Sequence, residues 1–322
     1  MILGIECTAH TFGIALVDKG KVLSNLRDMY LPEKGGIVPM ESANHHKKVA
    51  GNLYQKALLE SNIHERQISA IALSNAPGLP PCLRVGLDFA RQKAIKLRLP
   101  IIPVNHCIAH LEIGRSVGAH DSVLLYASGA NTQIIAYVAG KYRVFGETLD
   151  IGIGNFIDKF ARYVGLQFPG GPKIEEAAKT GKYQELPYSI KGMDVSFSGL
   201  QTKIQQLYDK GVPLNDLAFS LQETAFAMLV EAAERAMAHL NKNELVLGGG
   251  VGCNARLQEM CRIMCKERGA RFFCPEKSLL VDNAAMIAFT GELMFRAGIL
   301  YNPEEIDIKP RERTDDVLVS WR

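Results

Sequence analysis

No run of about 18 apolar residues occurs in the 322-residue chain, so no transmembrane helix is expected. The opening residues, Met1-Ile2-Leu3-Gly4-Ile5-Glu6, have no basic n-region and no small-residue cleavage site, which predicts no signal peptide. Seven cysteines is an odd number, and no two form a C-x-x-C pair. That excludes a disulfide scaffold and predicts mostly buried thiols in a reducing compartment, the cytoplasm. A large excess of one charge is missing too. Lys plus Arg number 37 against 34 Asp plus Glu, a net charge of +3. Such a balance neither demands a nucleic-acid partner nor excludes one. Low-complexity segments are also absent.

What is present reads as a globular protein. Hydrophobic residues make up 47% and charged residues 22%, and the mean hydropathy is +0.01, which excludes intrinsic disorder. The length predicts two domains, or one large domain with duplicated parts.

An internal echo favours duplication. Residues 2–23 and 122–143 share one order: an apolar strand, a small polar turn, a second apolar strand, then Gly20-Lys21 or Gly140-Lys141. Both predict β-hairpins. Later in each half an apolar strand, 70–73 or 244–247, runs into a turn (SNAPGLPP or GGGVGCN), then a helix over 83–98 or 255–268. The expected class is α/β, with mixed sheets and two duplicated lobes around a central cleft that both hairpin turns face. Residues 1–104 with 297–322 are expected to form the first lobe, and 105–296 the second. Residues 214–240 predict a long amphipathic helix whose stripe of Leu217, Leu221, Ala225, Met228 and Leu229 packs in the core. The charged segment 301–322 reads as a surface tail.

His106 and His110 are four residues apart in a helical segment. That spacing brings their Cβ atoms to roughly 5–6 Å and suits a shared metal, against the alternative of two hydrogen-bonded surface histidines. The zinc-protease pattern H-E-x-x-H fails, because Cys107 stands where the water-activating Glu would be. Asp282, before a helical run, is a further ligand or a helix cap. Tyr126 ends a strand and is otherwise core. The turn Ser128-Gly129-Ala130-Asn131-Thr132 offers backbone N–H groups to an anion, or is simply a tight hairpin turn. Gly248-Gly249-Gly250-Val251-Gly252 leads a strand into a helix, an arrangement that favours phosphate. It lacks the Lys of a P-loop and the spacing of a dinucleotide fingerprint. Asn254 contacts a ligand or caps the next helix. Asp158 and Glu175, flanking Gly170-Gly171-Pro172, bind ribose hydroxyls or are ordinary surface acids.

Taken together, the stretches LGIECTAHTFGIAL, GGIVPMESANHH, APGLPPCLRVG, NHCIAHLE, LLYASGANTQ, FPGGP, KGMDVSFSGL, LGGGVGCNARL and VDNAAMIA resemble the universal tRNA threonylcarbamoyltransferase family. That family comprises bacterial TsaD and the catalytic subunit of the archaeal and eukaryotic KEOPS complex, formerly described as O-sialoglycoprotein endopeptidases. The resemblance spans the chain and is nearest the archaeal form. It implies the actin-like ATPase fold of sugar kinases and heat-shock ATPases. It implies a metal held by His106, His110, Tyr126 and Asp282, with iron favoured and zinc possible. It implies nucleotide contacts (threonylcarbamoyl-AMP, ATP or ADP) from Tyr126, Ala127, Ser128, Gly129, Ala130, Asn131, Asp158, Gly171, Glu175, Gly249, Gly250 and Asn254. The implied reaction moves threonylcarbamoyl from threonylcarbamoyl-AMP to N6 of the adenosine 3′ of the anticodon, in tRNAs reading codons that begin with A. Implied partners are tRNA and KEOPS-type subunits, among them a small protein kinase, sometimes fused, and a dimerising subunit; no membrane is involved.

Two departures from the family stand out: Ala130 and Ala284 replace glycines, which strains the chain if either site needs a positive φ. Candidate bases are Glu6 and His10, in the first hairpin turn. Basic residues line two helical stretches, Arg84, Arg91, Lys93, Lys96 and Arg98, and Arg262, Lys266, Arg268 and Arg271; solvated helix faces explain them better than RNA contacts. The rival readings are an ATP-dependent kinase or ATPase of the same fold and a regulatory nucleotide-binding scaffold. Two histidines argue against the first, since magnesium takes oxygen ligands.

Overall fold

β1 (Ile2–Glu6), β2 (Thr11–Asp18) and β3 (Lys21–Met29) form a meander, followed by α1 (Pro39–Ser61). The computed structural model describes residues 1–32 and 36–322, so Gly35 of the GGIVPMESANHH stretch lies outside the described residues. Next come β4 (Ala70–Ala76), α2 (Pro80–Leu97), β5 (Ile101–Asn105) and α3 (His106–Glu112). The sheet order is β3-β2-β1-β4-β5. β1 pairs antiparallel with β2 and parallel with β4, and β4 is parallel to β5. β1 and β4 are buried along their whole length, as their continuous apolar runs require of strands covered on both faces.

The second half repeats the plan. β6 (Val123–Ala127), β7 (Thr132–Val138) and β8 (Lys141–Glu147) form the second meander. α4 (Ile153–Tyr163), α5 (Gly171–Ala178), a short ladder of β9 (Ile190–Lys191) and β10 (Asp194–Val195), α6 (Ser198–Asp209) and α7 (Leu214–Leu240) follow. β11 (Glu244–Gly248), α8 (Ala255–Glu267), β12 (Arg271–Phe273) and α9 (Lys277–Leu280) complete it. The order β12-β11-β6-β7-β8 repeats that of the first sheet, with β6 antiparallel to β7 and parallel to β11. Both echoes in the sequence are therefore echoes of topology. Leu217, Leu221, Ala225, Met228 and Leu229 of α7 are fully buried in this half's core.

The chain then returns to the first sheet through α10 (Ala284–Arg296). Gly4 of β1 lets α10 lie directly on the strand, for a Cβ there would overlap the Ala284 carbonyl oxygen. Two compact units result: Met1–Ser116 with Ala139–Tyr142 and Asp282–Arg322, and Val117–Val138 with Arg143–Val281. α3 and α10 thus belong with the first unit, where the sequence suggested a break at 104 and a return at 297.

Residues 301–322 are not the expected surface tail. They strap the first unit. Tyr301 bridges Ile101 of β5, Arg91 donates to the Pro303 and Ile306 carbonyls, and Lys309 N–H donates to Asn75 O at 2.9 Å. Ile306, Thr314 and Val319 are buried. Charged and proline residues mask this attachment, because it uses backbone groups and isolated apolar side chains and shows no periodicity.

Candidate metal centre and nucleotide-binding turns

In the first unit, β5 delivers the chain into α3, and Asn105 caps it by accepting from the N–H groups of Cys107 and Ile108 at 3.1 and 3.3 Å. His106 and His110 then lie one turn apart on one face, with ring centroids 4.8 Å apart, both buried. Asp282 comes from the other end of the sequence. The cap of α10 is Asn283, whose side chain accepts from Met286 N–H at 3.0 Å, so Asp282 is released from capping. Its Oδ1 lies 3.4 Å from His106 Nε2 and 3.5 Å from His110 Nε2. Ligand atoms of the three residues lie within 4.8 Å of one another, the one such His/Cys/Asp/Glu group among the described residues.

Glu6, at the end of β1, has its carboxylate fully buried. Its Oε2 accepts from His106 Nδ1 at 2.9 Å, and its Oε1 accepts from Thr8 N–H at 2.8 Å and Thr8 Oγ1 at 2.6 Å. A carboxylate only accepts, so the proton sits on Nδ1 and Nε2 turns toward Asp282. Burial alone would lower the His106 pKa, but the Glu6 and Asp282 carboxylates overcome it and raise that pKa well above the usual range. Burial lowers that of His110. Burial opposes the charge on Asp282, yet the His106 cation holds its carboxyl well below the ordinary value. The Asp282 carboxylate thus faces the Nε2 atoms of both imidazoles. Two imidazoles and a carboxylate there, with Glu6 behind one imidazole, fit a transition metal.

Local sequence signalled the histidine pair, but Glu6 as its partner was missed. The available signal was an acid ending an otherwise wholly apolar strand. His10, on the turn after Glu6, is half-buried. Tyr126 is fully buried in β6 of the second unit.

The nucleotide candidates all belong to the second unit. Ala127 ends β6, and the turn after it is closed by Ser128 N–H to Asn131 O at 2.9 Å and Asn131 N–H to Ser128 Oγ at 3.2 Å. α4 begins against this turn. Gly154 N–H donates to Ser128 O and Asn155 N–H to Gly129 O, at 3.0 and 2.9 Å. Ala130 and Ala284 are not among the residues with positive φ, so neither replacement strains the chain. The Gly249 turn follows β11, the parallel neighbour of β6. Gly249 has φ +86°, and a Cβ would overlap the Ala127 carbonyl oxygen, so only glycine fits. The two turns therefore touch at the carboxyl ends of adjacent parallel strands, where open α/β sheets bind ligands. Gly250 opens a short 3₁₀ turn.

Asp158 on α4 accepts from Gly170 N–H at 2.8 Å, and burial raises its pKa. Gly171 starts α5 and faces open space. Glu175 on α5 accepts from Ala255 N–H at 2.8 Å, at the start of α8. Asn254 caps α8, accepting from Arg256 and Leu257 N–H at 2.9 and 3.2 Å, and donates to Gln222 at 2.6 Å.

Most of the basic residues are spent internally. Arg84 pairs with Asp307 at 2.9 Å and Lys96 with Glu65 at 3.0 Å, Lys93 lies 4.1 Å over the Tyr54 ring, and Arg271 pairs with Glu244. No described helix is long and apolar enough to cross a membrane.

A family profile for TsaD, tRNA N6-adenosine threonylcarbamoyltransferase, matches residues 21–289. A tRNA N6-adenosine threonylcarbamoyltransferase of Thermococcus sibiricus is 54% identical over 321 residues, 99% of each chain. One from Archaeoglobus fulgidus is 52% identical over the same shares. A probable bifunctional tRNA threonylcarbamoyladenosine biosynthesis protein of Methanosarcina mazei is 52% identical over 99% of this chain and 59% of its own length. Among solved structures, full-length HypF in its phosphate- and nucleotide-bound form superposes with a TM-score of 0.61 at 14% identity, covering 91% of this chain and 46% of HypF. The activator of 2-hydroxyisocaproyl-CoA dehydratase from Clostridium difficile, with bound ADPNP, reaches 0.54 at 9% identity over 96% of this chain and 99% of its own. These structures share the fold alone, and its duplicated sheets are those of the actin-like ATPases. By a profile match over most of its length and by more than 50% identity to full-length relatives, the chain belongs to the tRNA N6-adenosine threonylcarbamoyltransferase family.

Proposed function

We propose that this chain transfers threonylcarbamoyl from threonylcarbamoyl-AMP to N6 of the adenosine 3′ of the anticodon in tRNAs reading codons that begin with A. The observation that carries this reading is the convergence of His106, His110 and Asp282 from distant parts of a chain 54% identical to such a transferase. The amine nitrogen attacks the carbamoyl carbon of the mixed anhydride, the bond to the phosphate oxygen breaks, AMP leaves, and the amine gives up one proton. Glu6 serves by fixing the His106 ring and not as the base, since it is buried with both oxygens engaged. His10, half-buried on the same turn, is the group we assign to take the proton.

His106, His110 and Asp282 would hold the metal; two imidazoles and a carboxylate suit iron, with zinc the alternative. When bound, the metal supplies Lewis-acid polarisation to a phosphate or carbonyl oxygen. The backbone of Ser128–Asn131 and Gly249–Gly250 receives the phosphate of the AMP part, beside Tyr126 and Ala127. Glu175 offers its second carboxylate oxygen to a ribose hydroxyl. Asp158 shapes the approach at Gly171, where no side chain intrudes. Asn254 acts through the start of α8, its amide oxygen being used in capping.

The partners proposed are tRNA, a small protein kinase and a dimerising subunit, in the cytoplasm. The bifunctional Methanosarcina relative supports a second function working beside this one. Internally paired cations support sharing of the RNA with such subunits. Incubating the chain and these subunits with synthetic threonylcarbamoyl-AMP and tRNA, then quantifying the modified nucleoside by mass spectrometry, tests the reading. His106→Ala and Asp282→Ala should abolish product while the fold persists. Full modification by either variant would refute it.

A further inference from the structure

α3 has seven residues, too few for a helix to hold itself in water. Its seven residues are all buried, so packing holds it in place, and the direction in which the two imidazoles point rests in addition on what ties the helix at each end. The first-unit strap supplies ties along its length. Glu312 Oε2 accepts from Asn105 Nδ2 at 3.3 Å, at the cap. Thr314 hydrogen-bonds the Cys107 side chain. At the far end, Trp321 Nε1 and Arg322 Nε donate to Oε1 of Glu112, at 3.0 and 3.4 Å.

Glu112 lies two residues beyond His110, and its side chain is fully buried. Besides the two strap residues, Tyr142 OH donates to Oε1 and Arg115 Nη1 to Oε2, the latter at 3.2 Å. The Arg322 guanidinium also sits 5.2 Å over the Tyr142 ring. A buried carboxylate met by two guanidiniums, an indole N–H and a phenol is locked in orientation as well as neutralised.

We propose that Glu112 is a positioning residue for the metal centre. Trp321 and Arg322 hold it, and through α3 it sets the direction of His106 and His110. The proposal rests on the metal reading above. Loss of the clamp leaves the ligands present and lets their helix turn.

Cobalt(II) titration of the purified full chain, followed by its visible absorption, tests this without turnover. Trp321→Phe and Arg322→Gln should each weaken Co2+ binding, and together by about tenfold or more, the effect of losing outer-shell support. The band shape should change, and Arg322→Lys should recover most of the affinity. In the transfer assay kcat should fall while KM for tRNA holds. Glu112→Gln should be the most severe; if it does not fold, the strap variants carry the test. Glu292→Gln is the control for simple destabilisation. It removes one of the two carboxylate oxygens that accept from the Lys19 and Gly20 N–H groups and should leave Co2+ affinity unchanged. Unaltered affinity and spectrum in folded Trp321→Phe/Arg322→Gln would overturn the proposal, as would equal weakening in Glu292→Gln. Failure of the unmodified chain to take Co2+ would overturn the metal reading itself, and the proposal with it.

Discussion

Mild acid should destabilise this protein through one buried imidazole. His46, on α1, is fully buried, and its Nε2–H donates to the Ala9 carbonyl at 3.1 Å. Burial, chiefly, and then the neighbouring His45 push its pKa from 6.5 down to about 4; the Ala9 carbonyl and Glu6 oppose this, and His10 adds to it. An unfolded chain takes up the proton near pH 6.5, whereas the folded one resists until about 4. Between those values the unfolded state binds more protons, so stability is complete above pH 6.5 and drains away as the pH falls. The difference between 6.5 and about 4, at ~1.4 kcal/mol per pH unit, is worth about 3.5 kcal/mol. That is a large share of an ordinary domain's stability. Urea midpoints measured from pH 8 to pH 4, for the native chain and for His46→Gln, isolate the term, because the other titrating groups cancel in the difference. The native advantage should be flat above pH 7 and shrink steadily below 6. Parallel curves through that window would refute the assignment.

Two further outcomes follow from packing. Gly249→Ala places a Cβ in the left-handed region and against the Ala127 carbonyl; it should cost at least about 1–2 kcal/mol and weaken ADP binding in a calorimetric titration, while an unchanged melting point would count against the observed contact of the two turns. Leu221→Ala, in the fully buried stripe of α7, should lower the unfolding free energy by about 2–5 kcal/mol; a loss below 1 kcal/mol by denaturant titration would show that stripe to be loosely packed.

Features written in short, periodic stretches were legible before the structure. The two hairpins, the two strand–turn–helix units, α7 and the pairing of His106 with His110 all express local rules of strand alternation, turn chemistry and helical spacing. Other features need chain segments that only tertiary structure brings together. Glu6 meets His106 across 100 positions, and nothing local tells a buried orienting acid from a base or a strand-end carboxylate. Asp282 read equally as a cap until Asn283 was seen to cap α10 instead. The charges of the strap, read along the chain, suggest solvent, whereas Arg322 points into a buried carboxylate.

The first unit is discontinuous in sequence, which sets an order on its synthesis. His106 and His110 leave the ribosome long before Asp282, 172 positions after His110. At roughly 5–20 residues per second that interval is on the order of 10–30 s. Until α10 arrives, Gly4 and the face of β1 around it lie uncovered, and α3 has no clamp. The 143–281 stretch can pack during the wait. A nascent chain stalled before residue 282 should therefore carry both histidines and still be unable to close the centre.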